Sequence, residues 1–198
     1  MLTIGYHGCP LDVGMRAVLR QEGLQPQNKA YHWLGDGIYF WENDPHRALE
    51  WAQEKASRNE VKDPFVIGAI IDLGRCLDIN LRENQTLLIS SFESLKVEFE
   101  SVGKPFPRNR KAKGDDREIN VLRFRDCAVI NRLNQSLALP FDTVRGLFVE
   151  GDPIFDGAEI YHKTHSEIAI RNELCIKGYF LPDLESLGLR LKAQNTGP

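Results

Sequence analysis

Three widely separated positions carry side chains suited to chemistry on a bound substrate. His7 stands in a His-Gly pair at the end of the apolar start 2–6, Tyr39 in the run Ile38-Tyr39-Phe40-Trp41, and Glu167 in the late segment His165-Ser166-Glu167-Ile168-Ala169-Ile170-Arg171. Together they offer a hydrogen-bonding imidazole, a flat aromatic face and a carboxylate able to stabilise developing positive charge. Each also has an ordinary reading on its own. His7 after a strand reads as a turn or capping residue, and Tyr39 beside Phe40 and Trp41 reads as core. Alternation along 167–171 puts Glu167, Ala169 and Arg171 on one face and both isoleucines on the other, so Glu167 taken alone reads as the solvent face of an edge strand. The four cysteines, at 9, 76, 127 and 175, form no Cys-x-x-Cys pair and no cluster with histidine at metal-ligand spacing, so neither a metal centre nor a disulfide framework is indicated. Gly35-x-Gly37 precedes a strand rather than a helix, which removes the dinucleotide-binding fingerprint and the P-loop.

The elements that must position these residues follow from local pattern. Val13, Ala17, Val18 and Leu19 fall at helical spacing after the cap candidate Asp12, with Gly23 placed to stop the helix. The segment 25–37 is a polar, turn-rich loop that nevertheless carries Tyr31 and Trp33. A strand over 38–41 is followed by Asn43-Asp44-Pro45, which supplies the cap and first-turn proline of a second helix through Ala48, Trp51, Ala52 and Lys55. Residues 65–73 read as the clearest buried strand, and 84–102 and 119–133 as helices, with the polar break 105–116 between them. The last third reads as β-rich, with strands over 144–150, 158–161, 165–171 and 175–180 and a turn at Glu150-Gly151-Asp152-Pro153. Helices in the first two thirds with short strands at both ends predict an α+β fold, read as a single domain over 1–198.

Taken in order, Tyr6-His7-Gly8, the later Trp33-Leu34-Gly35-Asp36-Gly37-Ile38-Tyr39-Phe40, and Glu167 opening a late strand resemble the ADP-ribosyltransferase fold of the diphtheria-toxin and poly(ADP-ribose) polymerase type, which uses a His-Tyr-Glu triad. The resemblance covers the two ends of the chain and leaves 72–142 unexplained. It implies a split, mixed β-sheet core with flanking helices, with Glu167, His7 and Tyr39 as catalytic residues. It also implies NAD as a substrate, without a metal, bordered by His7, Gly8, Asn28, Trp33, Gly37 and Tyr39. In that reading Tyr39 stacks on the nicotinamide ring, and Gly8 lets the backbone approach the carboxamide. His7 donates to an adenosine ribose hydroxyl, and Glu167 binds the 2′-hydroxyl and stabilises the oxocarbenium-like centre left as nicotinamide departs. Tyr31 or Trp33 covers the dinucleotide or packs in the core. Arg171 shares the Glu167 face, as a partner, a phosphate ligand or an ordinary surface charge.

The expected activity is mono-ADP-ribosyl transfer from NAD to a macromolecular acceptor, protein or nucleic acid, as in a bacterial toxin or defence effector. The rival readings are an NAD-dependent RNA 2′-phosphotransferase and a catalytically silent nucleotide- or protein-binding module of the same fold. With 25 Lys and Arg against 28 Asp and Glu, the net charge of −3 neither demands nor excludes a polyanionic partner. A nucleic-acid surface would have to be local, and Arg108, Arg110, Lys111 and Lys113, followed by Asp115 and Asp116, form the densest basic run. A composition of 42% hydrophobic and 27% charged residues is that of a globular chain. The apolar runs are too short to cross a bilayer and the N-terminus lacks a secretory pattern, so the expected compartment is the cytoplasm, with no membrane partner.

Overall fold

Strand pairing begins at the N-terminus of the computed structural model, which describes residues 1–113 and 120–190. The first strand, β1 (Leu2–Pro10), runs straight into α1 (Leu11–Val18). After the aromatic loop come β2 (Ile38–Glu42), α2 (Pro45–Ser57), β3 (Pro64–Asp72) and β4 (Cys76–Asp78). A helical pair, α3 (Arg82–Ser101) and α4 (Phe124–Ser136), precedes β5 (Thr143–Phe148), β6 (His165–Ile170) and β7 (Ile176–Phe180). Among the described residues the strands form one seven-stranded mixed sheet in the order β4-β5-β6-β2-β1-β3-β7, parallel only between β4 and β5. The α+β expectation holds at this level.

Several boundaries differ from the sequence reading for physical reasons. β1 does not turn at His7-Gly8, because β3 pairs with it at nine positions, from Leu2↔Asp72 to Pro10↔Pro64. α1 stops at Val18 rather than at Gly23, since Arg20 already takes a left-handed conformation (φ 57°). β4 was missed because three residues are too short to show a period, and it is held by parallel pairing to β5. The strand expected over 158–161 is absent; that stretch is a loop tied by an isolated bridge between Pro153 and Tyr161. α4 starts at Phe124 rather than at 119. Ile119, Asp115 and Asp116 lie outside the described residues.

The sheet is covered on both faces. On one face α1 packs over Ile38 and Phe40 of β2, the odd-numbered residues 65–71 of β3, and Ile168 and Ile170 of β6. On the other face, α2 covers the β1–β3 half through Ala48 and Leu49 against Trp41 and Val66. There α4 covers the β5–β6 half, with Ile130 and Leu133 against Val144, Phe148 and Ala169. The middle of the chain therefore builds a second helical cover, with α3 joined to α4 by the Ser91 hydroxyl donating to the Val129 carbonyl at 3.0 Å. Between α2 and α4 this face is open. No helix among the described residues is long and apolar enough to cross a membrane.

α2 matters because it forms one wall of that opening, and its start is set locally. Pro45 occupies the first turn, and the Asp44 carboxylate accepts from the Arg47 N–H at 2.9 Å. Asp44→Ala is expected to cost about 1 kcal/mol, lowering the thermal midpoint by about 2–4 °C; an unchanged midpoint in a melting experiment would show that tertiary packing alone sets this helix.

Candidate active site

β1 pairs with β2 at only two positions, Gly5↔Glu42 and Tyr6↔Trp41, and then the strands part. The His7 ring enters the gap, with Nδ1 2.7 Å from the Tyr39 carbonyl oxygen. A carbonyl only accepts, so Nδ1 carries the proton. Burial lowers the His7 pKa, the Tyr39 bond opposes this, and the charge of Lys55 lowers it further. A neutral ring with Nδ1 committed presents Nε2 as an acceptor. The sequence reading has His7 donate to a ribose hydroxyl; with its Nδ1 proton directed at the Tyr39 carbonyl, the nitrogen left for a ligand is the acceptor Nε2.

Gly8 is required by packing, since a Cβ there would run into the Ala48 carbonyl of α2. Its backbone has a second use. In a strand, successive N–H and C=O pairs point to alternate sides. The Ile4 carbonyl accepts from Asn43 on the β2 side, while Leu11 N–H donates to Asp63 on the β3 side. Gly8 follows Ile4 in this alternation, so its N–H and C=O face the gap that β2 has left.

The gap opens into a cleft of about 420 Å³, within the range of small-molecule sites. His7, Tyr39 and Glu167 all line it. Trp41 pairs with Glu167 and Tyr39 with Ala169 across β2 and β6, which places Glu167 one step along the sheet from Tyr39 on the same face. β6 lies between β5 and β2, so Glu167 is not on an edge strand, and its side chain is 13% exposed. The Tyr39 hydroxyl is not free for a ligand. It donates to the Gly35 carbonyl at 2.7 Å and accepts from the Leu34 N–H at 2.8 Å, closing the turn before β2. Burial, with the charge of Glu167 adding to it, raises the phenol pKa well above its ordinary value, so the group remains a donor.

His165, two residues before Glu167 on the same strand face, is buried behind it. Its Nδ1 donates to the Lys163 carbonyl at 2.6 Å, and its Nε2 stands 3.3 Å from Glu167 Oε1. Burial works to lower the His165 pKa, but the hydrogen bond and charge of Glu167, helped by the Lys163 carbonyl, outweigh it and leave the value raised. Carbonyl on one side and carboxylate on the other are both acceptors, which favours a proton on each ring nitrogen. Trp33 packs edge-on to Phe148 at 4.7 Å and stacks with His165 at 6.3 Å, and its Nε1 donates to the Val121 carbonyl at 2.8 Å. Trp33 thus lines the cleft and packs behind Glu167 at once.

The remaining sequence candidates divide. Gly8 lines an adjoining hollow of about 300 Å³ that shares His7, Gln27, Trp51 and Lys55 with the main cleft. Asn28 is exposed and lines neither. Gly37 (φ 151°) is buried against the Ile170 backbone, where a Cβ would meet the carbonyl at 2.7 Å, so it closes β2 onto β6 rather than facing the cleft. Arg171 is neither a surface charge nor a partner of Glu167. Its Nη2 donates to Asn131 Oδ1 at 2.6 Å, and that oxygen also accepts from the Asp36 N–H, locking the turn from behind.

Sequence reasoning missed one wall of the cleft. Arg47, Trp51 and Lys55 repeat at helical spacing on α2, with Arg58 at its C-cap, a stripe that the period alone could have marked as one face. Glu150, read as a turn residue, is buried in the wall and joined to Arg47 at 3.1 Å. The Lys55 ammonium sits 3.9 Å over the Trp51 ring, with its pKa lowered by burial and then by the charge of Lys29. Comparison with protein-family models, with curated proteins and with solved structures finds no match for this chain.

The His165–Glu167 pair makes stability depend on pH. A histidine whose folded pKa is raised contributes stability fully present below its unfolded value, about 6.5, and lost as pH rises through the folded value. The stability difference between the wild type and His165→Gln is therefore expected to shrink as pH is raised from about 6 to about 9. Urea midpoints measured for both proteins across that range check it; a pH-independent difference would mean that His165 stays neutral beside Glu167.

Proposed function

We propose that the chain is a mono-ADP-ribosyltransferase that cleaves NAD and transfers ADP-ribose to a macromolecular acceptor, its sheet being the split core of that fold. The observation that carries this reading is the joint placement of His7, Tyr39 and Glu167 in one cleft at the point where β1 and β2 part. These are the three positions at which the sequence resembles the His-Tyr-Glu triad.

The chemistry can be followed residue by residue. The bond between ribose C1′ and the nicotinamide nitrogen breaks, its electron pair leaving with the neutral ring, and positive charge develops on C1′. Glu167 stands where its carboxylate holds the ribose 2′-hydroxyl and stabilises that charge, an electrostatic contribution commonly worth a few kcal/mol. The Tyr39 ring, which lines the cleft, takes the nicotinamide by stacking, about 1 kcal/mol, while its hydroxyl bonds keep the ring fixed. The Gly8 N–H and C=O, turned toward the gap, match the carbonyl and amide of the carboxamide. Nε2 of His7 accepts from a hydroxyl of the adenosine ribose, and the hollow beyond His7 takes the adenosine. Lys29 and Lys55, both on the cleft wall, face the diphosphate between them. An acceptor lone pair or water then forms the new bond at C1′, and the acceptor's proton passes through Glu167 to solvent.

All three triad residue types are present and face one cleft, which favours turnover over a silent binding module. A single glutamate of this kind, with no second site assigned to ADP-ribose, favours one transfer over chain extension. Glu167→Gln is expected to keep NAD binding and lower the release of free nicotinamide by at least about a hundredfold. Near wild-type release from a folded variant would place the catalytic carboxylate elsewhere.

A further inference from the structure

Three of the carboxylates that line the cleft have Lys or Arg partners and the fourth stands beside His165, while several cations around the cleft have no acidic partner among the described residues. Glu54 meets Lys163 at 2.9 Å, Glu60 meets Arg58 at 2.8 Å, Glu150 meets Arg47 at 3.1 Å and Glu167 meets His165 at 3.3 Å. By contrast Lys29 and Lys55 stand within ion-pair distance of no carboxylate among the described residues. The same holds for Arg108, Arg110, Lys111 and Lys113, of which all four are exposed. Among the described residues the cleft and its rim therefore carry six Lys and Arg side chains with no carboxylate within ion-pair distance, in a chain whose net charge is −3.

The basic run is tied to the cleft. Arg110 and Leu122 exchange backbone hydrogen bonds, each at 3.0 Å, and Leu122, Val121 and Ala112 all line the cleft wall. Lys111 and Lys113 flank Ala112, so this segment forms the rim rather than a distant loop. Between rim and floor stands Tyr31, half-buried, its ring edge-on to Phe124 at 5.7 Å, with the Arg110 guanidinium 4.6 Å above the same Phe124 ring. A positively charged track beside an aromatic ring that still faces the opening is the arrangement by which single-stranded nucleic acids are held, phosphates on the cations and a base on the ring face. A duplex would keep its bases stacked and out of reach of a carboxylate at the bottom of a cleft.

We propose that the acceptor is single-stranded nucleic acid, held on the rim by Arg108, Arg110, Lys111 and Lys113 and stacked on Tyr31. The proposal rests on the NAD-cleavage reading for the chemistry but not for the binding. An amine or hydroxyl of the nucleotide placed over Tyr31 attacks ribose C1′ as nicotinamide leaves with the bonding electrons. The nucleophile's proton goes to Glu167 and then to solvent, and no further co-reactant is needed.

Two measurements separate the proposal from the reading beneath it. Binding is read without NAD, by fluorescence anisotropy of single-stranded RNA, single-stranded DNA and duplex oligonucleotides over a range of salt. The quadruple variant Arg108→Ser, Arg110→Ser, Lys111→Ser and Lys113→Ser is expected to bind single strands more weakly, with a salt slope shallower by up to ~0.7 per lost phosphate contact. Tyr31→Ala is expected to weaken binding with an unchanged slope. Transfer is read with labelled NAD offered to RNA, DNA and protein pools separately. The label is expected on single strands and reduced in the quadruple variant, while acceptor-free nicotinamide release stays at the wild-type rate; the RNA and DNA arms tell which sugar is preferred. Equal affinity and slope in the quadruple variant would overturn the rim assignment. Tighter binding of duplex, or label on protein alone, would overturn the acceptor class. Single-strand binding that depends on the rim, without any nicotinamide release, would leave the binding surface standing and remove the NAD reading instead.

Discussion

The parting of β1 from β2 after a two-position contact is the constraint on which the rest of the site depends. Strands that stop pairing leave backbone donors and acceptors facing the gap, and buried ones must find partners. One is taken by a side chain: His7 donates to the Tyr39 carbonyl and so links the two strands where the backbone no longer does. Each half is anchored independently, β1 to β3 at nine positions and β2 to β6 at four, so the gap is held open by two rigid margins. The backbone of Gly8 faces the gap for the same reason, and its missing side chain is what lets α2 lie close against β1.

Behind this opening, the electrostatics are arranged in layers. Glu167 rests on a buried histidine whose other nitrogen is fixed by a backbone carbonyl, and that histidine is wedged by Trp33 and Phe148. Opposite it, the α2 wall supplies Arg47 paired with Glu150, and Lys55 resting on Trp51. A buried pair such as Arg47–Glu150 adds little net stability against hydrophobic isosteres, but losing one partner leaves the other charge uncompensated. Around these pairs, Lys29 and Lys55 are the cleft-lining cations with no carboxylate within ion-pair distance among the described residues.

The parts of this architecture legible in the sequence are those carried by local signals. Asn43-Asp44-Pro45 marked the start of α2 and the apolar run marked β3, while alternation along β6 put Ile168 and Ile170 on the face opposite Ala169, which packs in a second core rather than facing solvent. His7, Tyr39 and Glu167 were marked as site residues by the family resemblance, which left Trp33 open between the cleft and the core, and all four line the cleft. What stayed hidden depends on contacts distant in sequence. Glu150 meets Arg47 across 103 positions, and His165 reads as an ordinary strand residue until Lys163 and Glu167 are seen on its two nitrogens. β4 has only three residues and exists because β5 lies beside it. The continuation of β1 through His7-Gly8 likewise comes from β3, against a dipeptide that by itself suggests a turn.

The central claim is that the gap between β1 and β2 binds NAD with its reactive bond beside Glu167. It is tested most directly by a crystal structure with an NAD analogue whose ribose–nicotinamide bond resists cleavage. The account predicts the nicotinamide ring against Tyr39 with its carboxamide on the Gly8 backbone. It also predicts a ribose hydroxyl donating to His7 Nε2 and the nicotinamide ribose in hydrogen-bond reach of Glu167. A dinucleotide bound away from the gap, or one whose nicotinamide lies apart from Tyr39 and Glu167, would contradict it.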